Sequence, residues 1–274
     1  MLEALVAALA GLIIGSFLNV CIHRMPRDLS VVRPRSFCPA CEHPISWYDN
    51  IPILSFFLLG GRCRRCGARI PWRYPVVEAA TSLMFFLFVL ALGPNLSGAK
   101  FCLFSALLIG LFFADLEERI LPDEFTLGGT FAGLVLAFFV PVNDVVAHAV
   151  LYLAGLDWNP RLVSATEAAV GAVLPAAFLW IGGFLFEKFR HQEGLGLGDV
   201  KMMAMVGAFL GLREALLALV AGALLGSLIG LSFILITRKD ASTYQLPFGS
   251  FIAAAALGVA LFGEKVVAWY AALL

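Results

Sequence analysis

The sequence predicts an all-α polytopic membrane protein of about eight transmembrane helices, with one small zinc-binding cytoplasmic loop domain after the first helix. Three observations predict it. Of the 274 residues, 61% are hydrophobic and only 14% are charged. A soluble domain is nearer half apolar and a quarter charged, so a soluble fold of this composition would lack the polar groups to cover its surface. The apolar residues fall into eight runs, and Lys and Arg crowd into alternate segments between them.

The first run is Leu2 to Cys21, close to the 20 residues a spanning helix needs. It opens Met1-Leu2-Glu3 with no positive residue before it, and Arg24 and Arg27 follow it. That order predicts an uncleaved anchor whose start lies outside and whose end lies in the cytoplasm. Gly11, Gly15 and Ser16 form a small face on which another helix can pack closely. Asn19 and His23 lie one turn apart near the inner end and are expected to hydrogen-bond at a helix interface.

From His23 to Pro75 the composition changes. This segment holds nine arginines against three acids, together with seven prolines, which rule out long helices. It is too small for a core of its own. Cys38-Pro-Ala-Cys41 and Cys63-Arg-Arg-Cys66 supply a means of stabilising it. The 21 residues between the pairs slightly exceed the usual four-cysteine zinc interval. Two such turns can present four thiolates to one Zn²⁺ tetrahedrally, and metal binding then contributes to folding. Two disulfides or four free thiols are the alternative, but a cytoplasmic loop rarely keeps disulfides. His43 lies in the same loop as a competing ligand. Cys21 and Cys102 sit in apolar runs and read as packing residues.

The later runs are Val77 to Leu92, Phe101 to Ala114, Phe125 to Val140, Ala168 to Phe186, Val200 to Leu212, Ala215 to Ile236 and Phe248 to Leu273. The expected division is 1–22 for the first helix, 23–76 for the loop domain, 77–100 for the second helix and its outer turn, and 101–274 for a six-helix core. With the start outside, the inner segments carry fifteen of the nineteen Lys and Arg and the outer ones four, which fits the excess of positive charge on the cytoplasmic side. The outer segment Pro141 to Thr166, with Tyr152, Asp157 and Trp158, reads as a surface-lying piece without chemistry. There is no basic tail, and no nucleic-acid partner is expected; the partner composition demands is the lipid bilayer.

Charge topology has a chemical consequence. Asp115 ends an out-to-in helix and Asp199 starts an in-to-out helix, so both fall at the cytoplasmic membrane edge. A carboxylate there is costly to keep. Asp199 follows three glycines in Gly194-Leu-Gly-Leu-Gly198, and Gly196 and Gly198 would let a substrate backbone lie close. Of two facing carboxyls, one holds a proton and acts as acid while the other acts as base on water. Such a pair hydrolyses a peptide bond without a covalent intermediate. The bland readings are an Asp115 paired with Arg119, an Asp199 serving as helix N-cap, and a Lys201 that snorkels. Asp123, after Pro122, is expected to be an N-cap. There is no P-loop and no HExxH, and the glycine motif does not follow a strand. A proton-coupled transporter would place acids near the midplane within internal repeats; these lie at helix ends and no repeat is evident. A scaffold docking a partner through its zinc loop is the third class.

The residues resemble the type IV prepilin peptidases. Gly15-Ser-Phe-Leu-Asn-Val20 is similar to that family's N-terminal motif. So are Cys38-Pro-x-Cys41, Asn50-Ile-Pro-Ile-Leu-Ser55, Cys63-x-x-Cys66 and Arg73-Tyr-Pro-Val-Val-Glu78. Asp115 with Leu121-Pro-Asp123, and Gly196-Leu-Gly-Asp-Val-Lys201, look like its two aspartate motifs, and Leu246-Pro-Phe-Gly249 resembles its last-helix motif. The chain departs at Gly249-Ser250, where Pro or another small residue is expected. The resemblance implies a GxGD-type aspartic endopeptidase of the bacterial inner membrane. Its substrates would be prepilins of type IV pili or pseudopilins of type II secretion, cut after Gly on the cytoplasmic side, with Asp115 and Asp199 catalytic. Because the cysteine loop is retained, it also implies N-methylation of the new terminus with S-adenosylmethionine. Glu78, Glu117 and Glu118 are candidates for attracting a basic leader.

Overall fold

The computed structural model describes residues 1–142, 146–147, 149, 159–190, 196–237 and 247–272. They form two compact units, Met1–Gly110 and Leu111–Leu274. The expected surface-lying residues Tyr152, Asp157 and Trp158, the leading Gly194 of the glycine turn, and Leu246 of the last-helix motif lie outside the described residues. The regular elements among the described residues are all helices, and the only β pairing there is two isolated bridges, Phe37 with Pro44 and Arg62 with Arg69.

In the first unit, α1 (Leu2–Arg24) packs along α3 (Arg73–Leu92). The small face read from the sequence makes this contact. A Cβ at Gly11 would lie 2.7 Å from the Cα of Ser82, and one at Gly15 would lie 2.7 Å from the Cα of Glu78. Close backbone approach substitutes for the hydrophobic drive that lipid cannot supply. Polar bonds fasten the same seam: Ser82 Oγ donates to Ala8 O at 2.9 Å and Asn19 Nδ2 to Tyr74 O at 3.1 Å. Asn19 is thus an interface residue. Between the two helices lie the 3-10 turns Met25–Arg27 and Trp47–Asn50 and the short α2 (Leu54–Leu58). Arg24 folds back and donates to Ser30 O and Pro34 O, both at 2.9 Å. The helix α4 (Leu96–Glu118) begins in this unit and ends in the second.

The second unit comprises the end of α4 with α5 (Asp123–Phe139), α6 (Pro160–Arg190), α7 (Leu197–Leu210), α8 (Leu212–Thr237) and α9 (Phe248–Ala271). Small residues again set the spacing. Gly133 of α5 faces Phe209 and Ala208 of α7, Gly171 of α6 faces Gly207 and Gly211, and Gly222 of α8 faces Ile252 of α9. The α7 helix is the buried centre, with Met202, Met203, Met205, Val206 and Ala208 fully covered.

Among the described residues, eight helices of 14 residues or more correspond in order to the eight apolar runs. Six of them are long and apolar enough to cross a membrane among the described residues, which makes the chain a multi-pass membrane protein. The other two are α5 with 17 residues and α7 with 14. At 1.5 Å per residue α7 is ~21 Å long, against the ~30 Å of a hydrocarbon core.

Candidate active site and metal centre

The cysteine loop is built from two matching turns. Cys38 N–H donates to His43 O and Glu42 N–H to Cys38 O; likewise Cys63 N–H donates to Ala68 O and Gly67 N–H to Cys63 O. The fifth residue of each turn takes positive φ, 54° at Glu42 and 70° at Gly67. This closes each turn tightly and aims both thiols of a pair the same way. All four Sγ atoms of Cys38, Cys41, Cys63 and Cys66 lie within 4.8 Å of one another. Cys38 Sγ and Cys66 Sγ are 3.8 Å apart, the edge of a tetrahedron with Zn–S bonds of ~2.3 Å, and the cysteines form no disulfide. The N–H groups of Cys66 and Arg65 point at Cys63 Sγ and lower its thiol to about 6. The donor set fits a divalent metal that takes four thiolates. His43 stands outside the cluster, its ring against the Arg65 guanidinium. The Arg64 guanidinium grips Asp49 at 2.7 Å, holding that carboxyl below its ordinary range and tying the second cysteine turn to the Trp47–Asn50 turn.

Glu78 sits in the same unit. It is 6% exposed, and its Oε2 accepts the N–H of Ile53 at 2.7 Å. Ile53 has φ of 61°, a costly conformation for a β-branched residue, and Glu78 holds the Asn50–Ser55 stretch in it. The carboxylate is committed to the loop's own backbone rather than presented to solvent.

The second site lies where α4 ends and α7 and α9 begin, in the second unit. Asp115 is one turn from the end of α4 and is 6% exposed. Asp199 is the third residue of α7, whose N-cap is Gly196, so Asp199 is not the cap. Gly249 is the second residue of α9. A Cβ there would lie 3.1 Å from Asp199 Oδ1 and 3.2 Å from Asp115 Cγ. One methyl-sized volume thus touches both carboxyl groups. Leu121 closes the same corner, its side chain 3.1 Å from a Cβ at Gly198 and its Cδ1 3.1 Å from one at Gly249. Among the described residues a Cβ at Gly196 would meet nothing nearer than Asp199 Oδ2 at 3.7 Å, whereas Gly198 is covered by Leu121.

Two neighbours escaped the sequence reading. Ser250 donates its backbone N–H to Asp115 Oδ2 at 2.6 Å, and its Oγ lies 2.8 Å from the same oxygen. The only signal was its departure from a motif, which names no partner 135 residues away. Lys201, expected to snorkel, reaches Asp123 at 2.7 Å. Asp123 accepts that bond as the first residue of α5, while Pro122 is the N-cap.

Two family models match the chain. The bacterial peptidase A24 N-terminal domain covers residues 9–92, and the type IV leader peptidase family covers residues 102–231. A protein from Aeromonas salmonicida is 33% identical over 96% of this chain and 91% of its own length. The chain belongs to the type IV leader peptidase family. As a member of that family it is an enzyme of the leader-peptidase class. That relative is described as a prepilin leader peptidase/N-methyltransferase. So are one from Pseudomonas aeruginosa, 30% identical over 96% of this chain and 91% of its own, and one from Myxococcus xanthus, 38% identical over 84% and 62%. No solved structure matches the chain.

Proposed function

We propose that this protein cleaves the basic leader of type IV prepilins or type II pseudopilins after Gly and then methylates the new N-terminus. The observation that carries the reading is the pair of carboxyls, Asp115 and Asp199, flanking Gly249 at the ends of apolar helices in a leader-peptidase chain. Asp115 and Asp199 are the catalytic residues. One takes a proton from water, and the resulting hydroxide adds to the carbonyl carbon of the leader Gly. The other gives its proton to the carbonyl oxygen, leaving a neutral tetrahedral diol. Collapse returns the diol proton to the second aspartate, breaks the C–N bond and passes the first aspartate's proton to the leaving amine. Both carboxyls end as they began.

The charge bias of the connecting segments supports a periplasmic N-terminus, eight spans and an active site facing the cytoplasm of the bacterial inner membrane. With α5 and α7 short, the bilayer would thin or polar residues would snorkel around them. In this topology residues 23–76 form the zinc domain, and Zn²⁺ on Cys38, Cys41, Cys63 and Cys66 is structural. Residues 1–22 and 77–100 carry the first two spans and 101–274 the peptidase core. Glu117 and Glu118 at the end of α4 are better placed to draw in a basic leader than the buried Glu78. Gly196 leaves room for the substrate backbone. In the second reaction the new α-amine attacks the methyl carbon of S-adenosylmethionine and loses a proton, leaving S-adenosylhomocysteine.

The test is the mass of the product. Incubating the full-length protein in detergent with a prepilin and S-adenosylmethionine should release a chain that begins after the leader Gly and carries one added methyl group. Cleavage without that mass gain would leave a peptidase whose zinc loop is structural only. An uncut prepilin would overturn the reading.

A further inference from the structure

Ser250 is the third residue of α9 and is 2% exposed. First-turn N–H groups of a helix have no partner within it, and that of Ser250 is spent on Asp115 Oδ2. The Ser250 hydroxyl reaches the same oxygen at 2.8 Å and also stands 3.0 Å from Phe112 O, one turn earlier on α4. We propose that Ser250 is the positioning residue of the peptidase site: it locks the Asp115 carboxylate through Oδ2, so that Oδ1 takes the proton from water.

The proposal rests on the reading of Asp115 and Asp199 as the hydrolytic pair. A hydroxyl has one proton and two lone pairs. While Asp115 is a carboxylate, that proton points to Oδ2, and two donors converge on one oxygen. Once Asp115 has taken the proton from water, the hydroxyl can rotate toward Phe112 O without moving a heavy atom. The tie between α4 and α9 is kept through both states, so Asp115 need not reorient between accepting the proton and releasing it. Among the described residues, no side-chain donor bonds Asp199. The pair is therefore asymmetric: Asp115 is built to accept, and Asp199 is the member that protonates the carbonyl oxygen.

Three variants separate this role from mere packing. Ser250→Ala keeps the N–H and removes the hydroxyl; Ser250→Thr keeps both. With the full chain in detergent and a prepilin as substrate, Ser250→Ala should lower kcat about tenfold with KM changed less than about twofold, as expected for losing a bond to a charged group. Ser250→Thr should stay within about threefold of the intact enzyme. A Ser250→Ala variant with intact kcat, or one that raises only KM, overturns the proposal. So does a Ser250→Thr variant as slow as Ser250→Ala. Melting temperatures check the fold, and should Ser250→Ala not fold, Ser250→Cys, with its weak donor, must show the same loss. Asp115→Asn distinguishes the two layers. If it still cleaves, the aspartate-pair reading falls and this proposal with it. If it is inactive while Ser250→Ala is unimpaired, only the positioning role falls.

Discussion

Lys201 on α7 and Asp123 at the start of α5 are joined by an ion pair, with Nζ 2.7 and 2.9 Å from the two carboxylate oxygens. The pair links the two aspartate motifs through the acid that is not one of the facing carboxyls. It is half exposed, at 35% and 56%, so its contribution to stability is at most about 1 kcal/mol. Asp123→Asn should therefore shift thermal stability little and retain measurable cleavage. Loss of cleavage as complete as in Asp115→Asn would promote Asp123 to the reacting groups.

Gly249 is the tightest test of the site's geometry. Gly249→Ala places a methyl group 3.1 Å from Asp199 Oδ1, in the space between the carboxyls. It should reduce kcat by roughly a hundredfold, since misplacement of about 1 Å costs that much, while melting temperature changes little. Near-normal kcat in this variant would mean that substrate and water do not enter between the two acids.

The central helix contacts predict stability effects instead. A Cβ at Gly207 would fall on Gly171 O, and one at Gly171 would sit 2.6 Å from Gly211 C. Backbone cannot yield as a side chain end can, so Gly207→Ala should cost at least about 1–3 kcal/mol. Gly182 lies in α6 with no described residue within 4 Å of its added Cβ. Gly182→Ala should be neutral or slightly stabilising. Detergent unfolding monitored by circular dichroism measures both.

Removal of metal should act locally. The loop has only Phe56, Ser55 and Cys38 buried between residues 28 and 72, too little apolar burial to hold itself together. Chelation, or Cys63→Ser, should expose residues 23–76 to limited proteolysis while the helices stay intact. Metal analysis of the purified protein should find about one zinc per chain, and none after all four cysteines are changed to Ser. Unchanged zinc in that variant would place the metal elsewhere.

What the sequence makes legible is what period, composition and charge encode. Gly11 and Gly15 announce the α1–α3 seam, because small residues at a four-residue interval have one structural use in lipid. The paired CxxC motifs announce a four-thiol cluster, because each turn is local. Charge topology leads one to expect Asp115 and Asp199 near each other, and both carboxyls do flank Gly249. Tertiary pairing is what remained hidden. Ser250 on Asp115, Lys201 on Asp123 and Glu78 on Ile53 span 135, 78 and 25 residues, and nothing local in any of those residues names the other. Glu78 shows this directly: the sequence singles it out as a candidate for attracting a basic leader, and nothing in it tells of the Ile53 N–H that it accepts at 2.7 Å.

The central claim is that Asp115 and Asp199 together activate water. The most direct measurement is cleavage of one prepilin by four detergent-purified proteins: the intact chain, Asp115→Asn, Asp199→Asn and the double variant. Either single substitution should lower cleavage by at least about a thousandfold, and the double variant should be no slower than the singles, because residues that act as a unit are not additive. All three variants should still bind the prepilin and hold their zinc. A single variant that retains more than about a tenth of the intact rate would contradict the claim.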